Sequence, residues 1–422
     1  MHDFDYRQGT LYCGDVALAD IADAVGTPFY CYSLPTLHRH IRAFEEPLAG
    51  VDHQTCFAMK ANSNLAILSY MAGQGLGADV VSGGELYRAL KAGIPAAKVV
   101  YSGVGKTTDE IDMAIQAGIM MFNIESEQEL EVIHERAGAL GKKAPISIRV
   151  NPDVDPMTHP YISTGMKKNK FGIDVEASMA QYLRAKDMAN IEIVGIDCHI
   201  GSQLTDLSPF LDAVDRLKML VERLGKHGVA LRYLDLGGGL GITYSDEEPP
   251  HPRDYCRAIT DAVGPLGLKL IFEPGRVIVG NAGVMVTSVL YRKETRDKTF
   301  IVVDAGMNDL IRPSLYGAYH DIRSLTEKNG SRETVDVVGP ICESGDFLAK
   351  DRELPVLARG DMIAVMSAGA YGFTMSSNYN SRTRPPEVLV DGSKYYVVLK
   401  RQSYEDLVSG EKVPAAVRGT RG

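Results

Sequence analysis

The sequence predicts an α/β protein in two parts: a (β/α)8 barrel of the TIM type, and a C-terminal β domain that also takes in the N-terminal strands. Two observations predict it. Between about residues 55 and 275, short apolar β-branched runs alternate with helical patterns, and eight such units in about 220 residues is the arithmetic of a closed parallel barrel. After residue 276 the helical periods give way to β-rich, turn-punctuated sequence. The 422 residues also suit more than one domain at ~150 residues each. Residues 1–26 are therefore read as strands joining the β domain, 27–276 as the barrel and 277–422 as the β domain.

In chain order, "DYRQGTLYCGDVAL" reads as a strand pair too short to stand alone. The barrel strands are predicted at 55–59, 78–81, 99–102, 120–124, 146–150, 193–199, 233–236 and 269–272. Strands separated by helices must pair in parallel through crossovers. "SGGELYRALKAGI" and "TTDEIDMAIQAGI" both close on Ala-Gly-Ile, a helix stop. Ser126 with Glu129 three residues on predicts a capping box. In "SPFLDAVDRLKMLVERLGKHG", Ser208 is the expected N-cap and Pro209 the first helical residue. Phe210, Val214, Leu217, Val221 and Leu224 then recur at helical steps, and Gly225 or Gly228 ends the run. Beyond 276, "VMVTSVLY", "TFIVVDAG", "ETVDVVGP", "MIAVMSAGAYG", "PEVLVDG" and "KYYVVLKR" predict a closed or sandwiched sheet.

Composition narrows the function classes. Hydrophobic residues make up 45% and charged residues 23%, enough for a sizeable core and unlike a disordered or collagen-like chain. The net charge of −9 lacks the basic footprint that binds a phosphate backbone, so no nucleic-acid partner is expected. The short cluster Lys167, Lys168, Lys170 reads as a solvated loop. Cys13, Cys31, Cys56, Cys198, Cys256 and Cys342 include no C-x-x-C pair and read as free thiols of a reducing compartment. No signal-peptide pattern opens the chain and no long apolar run crosses a membrane, so a cytoplasmic protein is expected. His38 and His40 are not spaced to share a helix face, and there is no H-E-x-x-H, so no metal is expected.

A parallel barrel carries its active site at the carboxyl ends of its strands. Polar residues and glycines gather there: Lys60 after strand one, Asp79 on strand two, Arg149 on strand five, His199 and Ser202 after strand six, "GGGLG" after strand seven, and Glu273, Gly275 and Arg276 after strand eight. Lys60 reads either as a surface lysine or as a desolvated amine whose lowered pKa frees it to form a Schiff base. Gly237, Gly238 and Gly239 read as a tight turn or as backbone amides cradling a phosphate. Glu273 reads as a salt-bridged carboxylate or as the partner of a pyridinium nitrogen. His199 is a core histidine or lies flat on a cofactor ring, and Cys342 alone is a small buried hydrophobe.

Taken in order, "CFAMKAN", "CHIGSQ", "DLGGGLG", "FEPGR", "GPICESGDF" and "AYGFTMSSNYN" resemble the pyridoxal-phosphate-dependent decarboxylases of the alanine-racemase-like fold, over roughly residues 5 to 415. That resemblance implies pyridoxal 5'-phosphate carried on Lys60, with Asp79 orienting the lysine or the cofactor edge. It implies a phosphate held by Gly237, Gly238, Gly239, Gly275 and Arg276 with Ser202 and Tyr371, a ring nitrogen paired with Glu273, and His199 stacked on the ring. It further implies a homodimer with a shared site, in which Cys342 donates a proton and Glu343 binds a substrate ammonium. Arg276, and Arg312 with Tyr316 in "RPSLYGAYH", match the family's carboxylate-binding positions, with Tyr371 beside the substrate. "HPYISTGMKKNKFGI" resembles a loop near the site, which makes its lysines a lid. The implied reaction is decarboxylation of meso-2,6-diaminopimelate to L-lysine and CO2, the last step of lysine synthesis. Two other readings stay open: a decarboxylase of the same fold acting on arginine, carboxynorspermidine or a carrier-bound amino acid, and a non-catalytic homologue that binds the cofactor or a partner protein.

Overall fold

The computed structural model describes residues 2–155 and 170–417 and divides into two compact units. The first unit comprises 1–2, 34–283 and 367–374; the second comprises 3–33, 284–366 and 375–422.

The first unit is the barrel. Its strands are β1 (His53–Ala58), β2 (Gly77–Val80), β3 (Val99–Tyr101), β4 (Met121–Ile124), β5 (Ala144–Asn151), β6 (Ile191–Asp197), β7 (Tyr233–Asp235) and β8 (Lys269–Phe272). Each pairs in parallel with the next, and β8 pairs with β1, so the sheet closes. Residues from facing strands meet inside: Cys56, Val100, Met121, Val194 and Ile271 form one fully buried apolar cluster. A polar layer also crosses the interior. Asn123 on β4 donates to Ser102 Oγ at 3.2 Å and to Asp235 Oδ2 on β7 at 3.3 Å, and accepts from Ser147 on β5 at 2.5 Å. All eight strands fall where the alternation of sequence placed them.

Helix boundaries follow local chemistry. Gly93 and Gly118, with φ of 91° and 71°, sit in the left-handed region just past helices Gly83–Lys91 and Thr108–Ala117. Two caps differ from the sequence reading. Ser126 Oγ accepts from the Glu129 amide, but the Glu129 carboxylate turns to Lys106 Nζ and the Glu125 amide, because that ammonium is buried and needs a charge partner. Ser208 is the first residue of helix Ser208–Lys226 instead of its cap, since Asp206 accepts from both its amide and its hydroxyl.

The second unit is the β domain. Its sheet runs Phe347–Pro355, Arg332–Val338, Thr299–Val303, Gly283–Glu294, Phe29–Ser33, Glu387–Asp391, Lys394–Leu399; Met362–Val365 pairs with Gly283–Glu294 and with Ile322–Ser324 off that path. The path has two edge strands among the described residues, so it is not a closed sheet. Phe4–Arg7, Thr10–Cys13 and Val16–Ala17 form a separate antiparallel meander, tied to this unit by the Leu11 amide on Leu325 O. Phe4, Leu11, Phe29, Val286, Met366 and Val388 share its core.

The barrel therefore starts later than 27. Strand Phe29–Ser33 pairs in parallel with Glu387–Asp391 and every one of its residues is buried, so its apolar run belongs to the β sheet. The barrel unit also extends past 276 to 283 and recovers 367–374. Among the described residues, no helix is long and apolar enough to cross a membrane.

Candidate functional site

Lys60 lies in the 3-10 turn Met59–Ala61 immediately after β1, which sets its side chain at the carboxyl rim of the barrel. A pocket opens there, with about 430 Å3 of empty space that includes solvent at its mouth. Lys60, His199, Ser202, Gly237, Gly238, Gly239, Glu273, Gly275, Arg276 and Tyr371 all line it, with Phe44, Leu240 and Tyr255 as apolar wall. The chain thus brings together residues that sequence reading took from five separate stretches.

Lys60 Nζ donates to Asp79 Oδ2 at 2.5 Å, and Asp79 on β2 is fully buried. Burial pushes the amine's pKa down, but the carboxylates of Asp79 and Glu273 outweigh it, and the net shift is upward. The lowered pKa expected from desolvation alone is therefore not found in the protein by itself. The ammonium lies among acids, and Lys60 keeps 35% of its side chain exposed.

Glu273 follows β8 directly. Its Oε1 is buried without a hydrogen-bond partner among the described residues. Burial, and after it Asp235, Asp79 and Asp197, push its pKa well above the ordinary carboxylate range. A buried acceptor left open over a cavity calls for a donor from a ligand.

His199 follows β6. Its Nδ1 accepts from the Gly238 amide at 3.0 Å, so the ring is the Nε2–H tautomer. Burial, helped by Arg149 and Lys60, pushes its pKa well below the usual histidine value and keeps it neutral.

The glycine run after β7 is required by close approach. A Cβ on Gly238 would stand 2.2 Å from Glu273 O, and one on Gly237 2.5 Å from His199 Nδ1. Gly237 and Gly239 also have φ of 62° and 118°. The amides of Gly237 and Gly238 are committed to Asp235 Oδ1 and His199 Nδ1. They lock the loop, and so they are not the free anion cradle that the sequence suggested.

Arg276 is buried and held by Tyr244 Oη at 2.6 Å and Ser202 Oγ at 3.0 Å, with its guanidinium 4.9 Å from the Tyr371 ring centroid. Tyr371 sits at φ 54°, a left-handed conformation rare for a bulky residue, and its amide is pinned to Ala61 O at 2.8 Å.

Arg312, Tyr316, Cys342 and Glu343 belong to the β domain, and none of them lines this cavity. Arg312 is buried in the short helix Arg312–Tyr316 and Tyr316 closes that helix. Cys342 is exposed, whereas the other five cysteines are buried, so the small-hydrophobe reading does not hold for it. Its amide donates to Asn380 Oδ1 at 2.8 Å, and the neighbouring Glu343 is exposed as well. Of the lysine cluster, Lys167 and Lys168 fall outside the described residues; Lys170 Nζ lies 5.2 Å from the Phe171 ring centroid.

Sequence reading placed Arg149 at the rim but missed the buried acids that accompany it, Glu125, Asp197 and Asp235. Arg149 on β5 donates to Glu125 Oε1 at 2.7 Å and lies 3.9 Å from Asp197 Oδ2. Asp197 and Asp235 are pushed up by burial, each with a further carboxylate adding to the shift. A polar residue at an inward position of an otherwise apolar strand is the signal that could have revealed them. Tyr244 carried no such signal.

The geometry suits pyridoxal phosphate. It offers an amine at the rim, an open buried carboxyl, a neutral imidazole, and an arginine with a serine hydroxyl.

Comparison with known proteins agrees. The family of pyridoxal-dependent decarboxylases is matched, through its pyridoxal binding domain, over residues 34–280. The chain belongs to that family. Its relatives include the diaminopimelate decarboxylase of Pseudomonas aeruginosa, 54% identical over 413 residues (98% of this chain and 99% of the relative), and that of Vibrio cholerae, 53% identical over 412 residues (97% and 99%). Among solved structures, diaminopimelate decarboxylase from Helicobacter pylori complexed with L-lysine superposes with a TM-score of 0.90 at 45% identity, covering 93% of this chain and 98% of that one. The enzyme from M. jannaschii in co-complex with L-lysine gives 0.92 at 40% identity, covering 98% and 99%.

Proposed function

We propose that this chain is the enzyme that decarboxylates meso-2,6-diaminopimelate to L-lysine and CO2, the closing step of lysine synthesis, in the cytoplasm. The observation that carries this reading is the 54% identity to a diaminopimelate decarboxylase over 98% of the chain.

Pyridoxal phosphate, when bound, supplies a conjugated ring that takes up the electron pair left as CO2 departs. Lys60 would hold it covalently, and Asp79 fixes the Lys60 amine at 2.5 Å. Glu273 would hold the proton on the ring nitrogen with its open Oε1. His199, neutral and tied to Gly238, would lie against the ring. Ser202, Arg276, and the amides of Gly239 and Gly275 would take the phosphate, with Tyr371 at their side. Arg312 and Tyr316 would bind the carboxylate that is not lost. In a homodimer, Cys342 of one chain would serve the other chain's site as proton donor, and Glu343 would bind the distal ammonium. Exposure of Cys342 supports such a role.

The test is a substrate panel on the purified, cofactor-loaded protein. L-Lysine and CO2 should form in equal amounts from meso-diaminopimelate. Release of CO2 from arginine, ornithine or carboxynorspermidine, with no lysine from diaminopimelate, would overturn the reading.

A further inference from the structure

The β domain holds a fully buried histidine eight residues after Arg312, at the end of the segment "RPSLYGAYH". His320 Nδ1 stands 2.8 Å from Met366 O, and His320 Nε2 stands 2.8 Å from Arg312 Nη1. A backbone carbonyl only accepts, so Nδ1 carries the hydrogen. A guanidinium only donates, so Nε2 presents its lone pair. The ring is therefore neutral and fixed in one tautomer by its two partners.

Its backbone is held as well. The His320 carbonyl accepts from Arg352 Nη1 at 2.6 Å, and the Asp321 carbonyl accepts from the Met366 amide at 2.8 Å. Gly317, with φ of 61°, ends helix Arg312–Tyr316 and lets the chain turn back, so that residue 320 meets residue 312. A neutral acceptor orients a guanidinium without cancelling its charge. Such an arrangement pre-orders a cation for an incoming anion, as supporting residues do around ligand sites.

We propose that His320 is a positioning residue for substrate specificity: its neutral ring holds the Arg312 guanidinium in place to bind the carboxylate that the substrate keeps. This rests on the reading of Arg312 given above. A residue that sets this contact governs affinity for substrates and products carrying that carboxylate, and leaves the bond-breaking step alone.

The test uses cofactor-loaded H320N, H320Q and R312L. Asparagine places its amide near the position of Nδ1, keeps the bond to Met366 O and cannot reach Arg312. Glutamine extends to the position of Nε2 and restores an acceptor for Arg312. H320N should raise KM for meso-diaminopimelate by about tenfold or more, with kcat changed less than about twofold, as loss of a buried hydrogen bond to a charged group requires. H320Q should stay within a few-fold of the parent. By calorimetry, affinity for L-lysine, which retains the carboxylate, should fall in H320N, while affinity for cadaverine, which has none, should not. A merely structural histidine would make both variants lose stability and kcat together. If R312L raises KM and H320N does not, the proposal is overturned while the reading of Arg312 stands. If R312L leaves KM unchanged, that reading fails and the proposal falls with it.

Discussion

Replacing Asp79 by asparagine isolates the contact that governs Lys60. The Nζ–Oδ2 distance is 2.5 Å and Asp79 is fully buried, so the variant removes a charge while keeping the shape. A hydrogen bond between charged groups contributes about 1.5–3 kcal/mol. At 1.36 kcal/mol per unit, that corresponds to a pKa change of about 1–2 units. The lysine side chain keeps 35% exposure, and solvent screening brings the expected change to about 1 unit. The sign is downward, because the lost carboxylate favoured the ammonium. The assay is trace acetylation of the cofactor-free protein across pH, with Lys60 followed by peptide mass spectrometry. In the parent, Lys60 should titrate above an ordinary lysine, and in Asp79→Asn about a unit lower than in the parent. An unchanged or higher midpoint in the variant would refute the view that Asp79 sets the charge of this amine.

Glu273→Gln should trade stability against function. Burial raises the Glu273 pKa in the folded protein, so the folded state binds more protons than the unfolded one above the ordinary value near 4.5. Parent stability should therefore fall as pH rises above that ordinary value. Cofactor-free Glu273→Gln should show a shallower fall in urea unfolding, with Asp197 and Asp235 still contributing theirs, while cofactor-loaded activity drops; parallel pH curves for parent and variant would contradict this. Gly238→Ala drives a Cβ within 2.2 Å of a backbone oxygen and should cost about 1–3 kcal/mol along with weaker cofactor binding. Unchanged Tm and cofactor titration would count against the account. Arg149→Leu strands the buried carboxyl of Glu125 and should cost about 3–5 kcal/mol in urea unfolding. Glu125→Gln added to it should recover part of that loss; no recovery would mean the pair does not act as a unit.

The barrel was legible because strand and helix periods alternate, and the rim was legible because polar residues and glycines there follow apolar runs. Phe29–Ser33 was assigned to the wrong unit because a fully buried strand reads alike in a barrel or a β sheet. Chain order cannot tell which partner strand it will find. The same limit hid Asn123, Ser147, Asp197 and Asp235. They sit inside strands, where only the closed interior shows that they meet. The glycine run was recognised, but its first two amides turn to Asp235 and His199, and no spacing rule reveals that. Arg312 could be singled out by its match to a motif. His320, at the end of that motif, gained meaning from two 2.8 Å contacts that only the folded chain creates.

The most direct measurement on the central claim is covalent trapping. Cofactor-loaded protein is reduced with borohydride, digested and mapped by mass. A phosphopyridoxyl adduct on the peptide carrying Lys60, lost in Lys60→Ala, is the expected result. An adduct confined to another lysine, or stoichiometric cofactor with Lys60 unmodified, would contradict it.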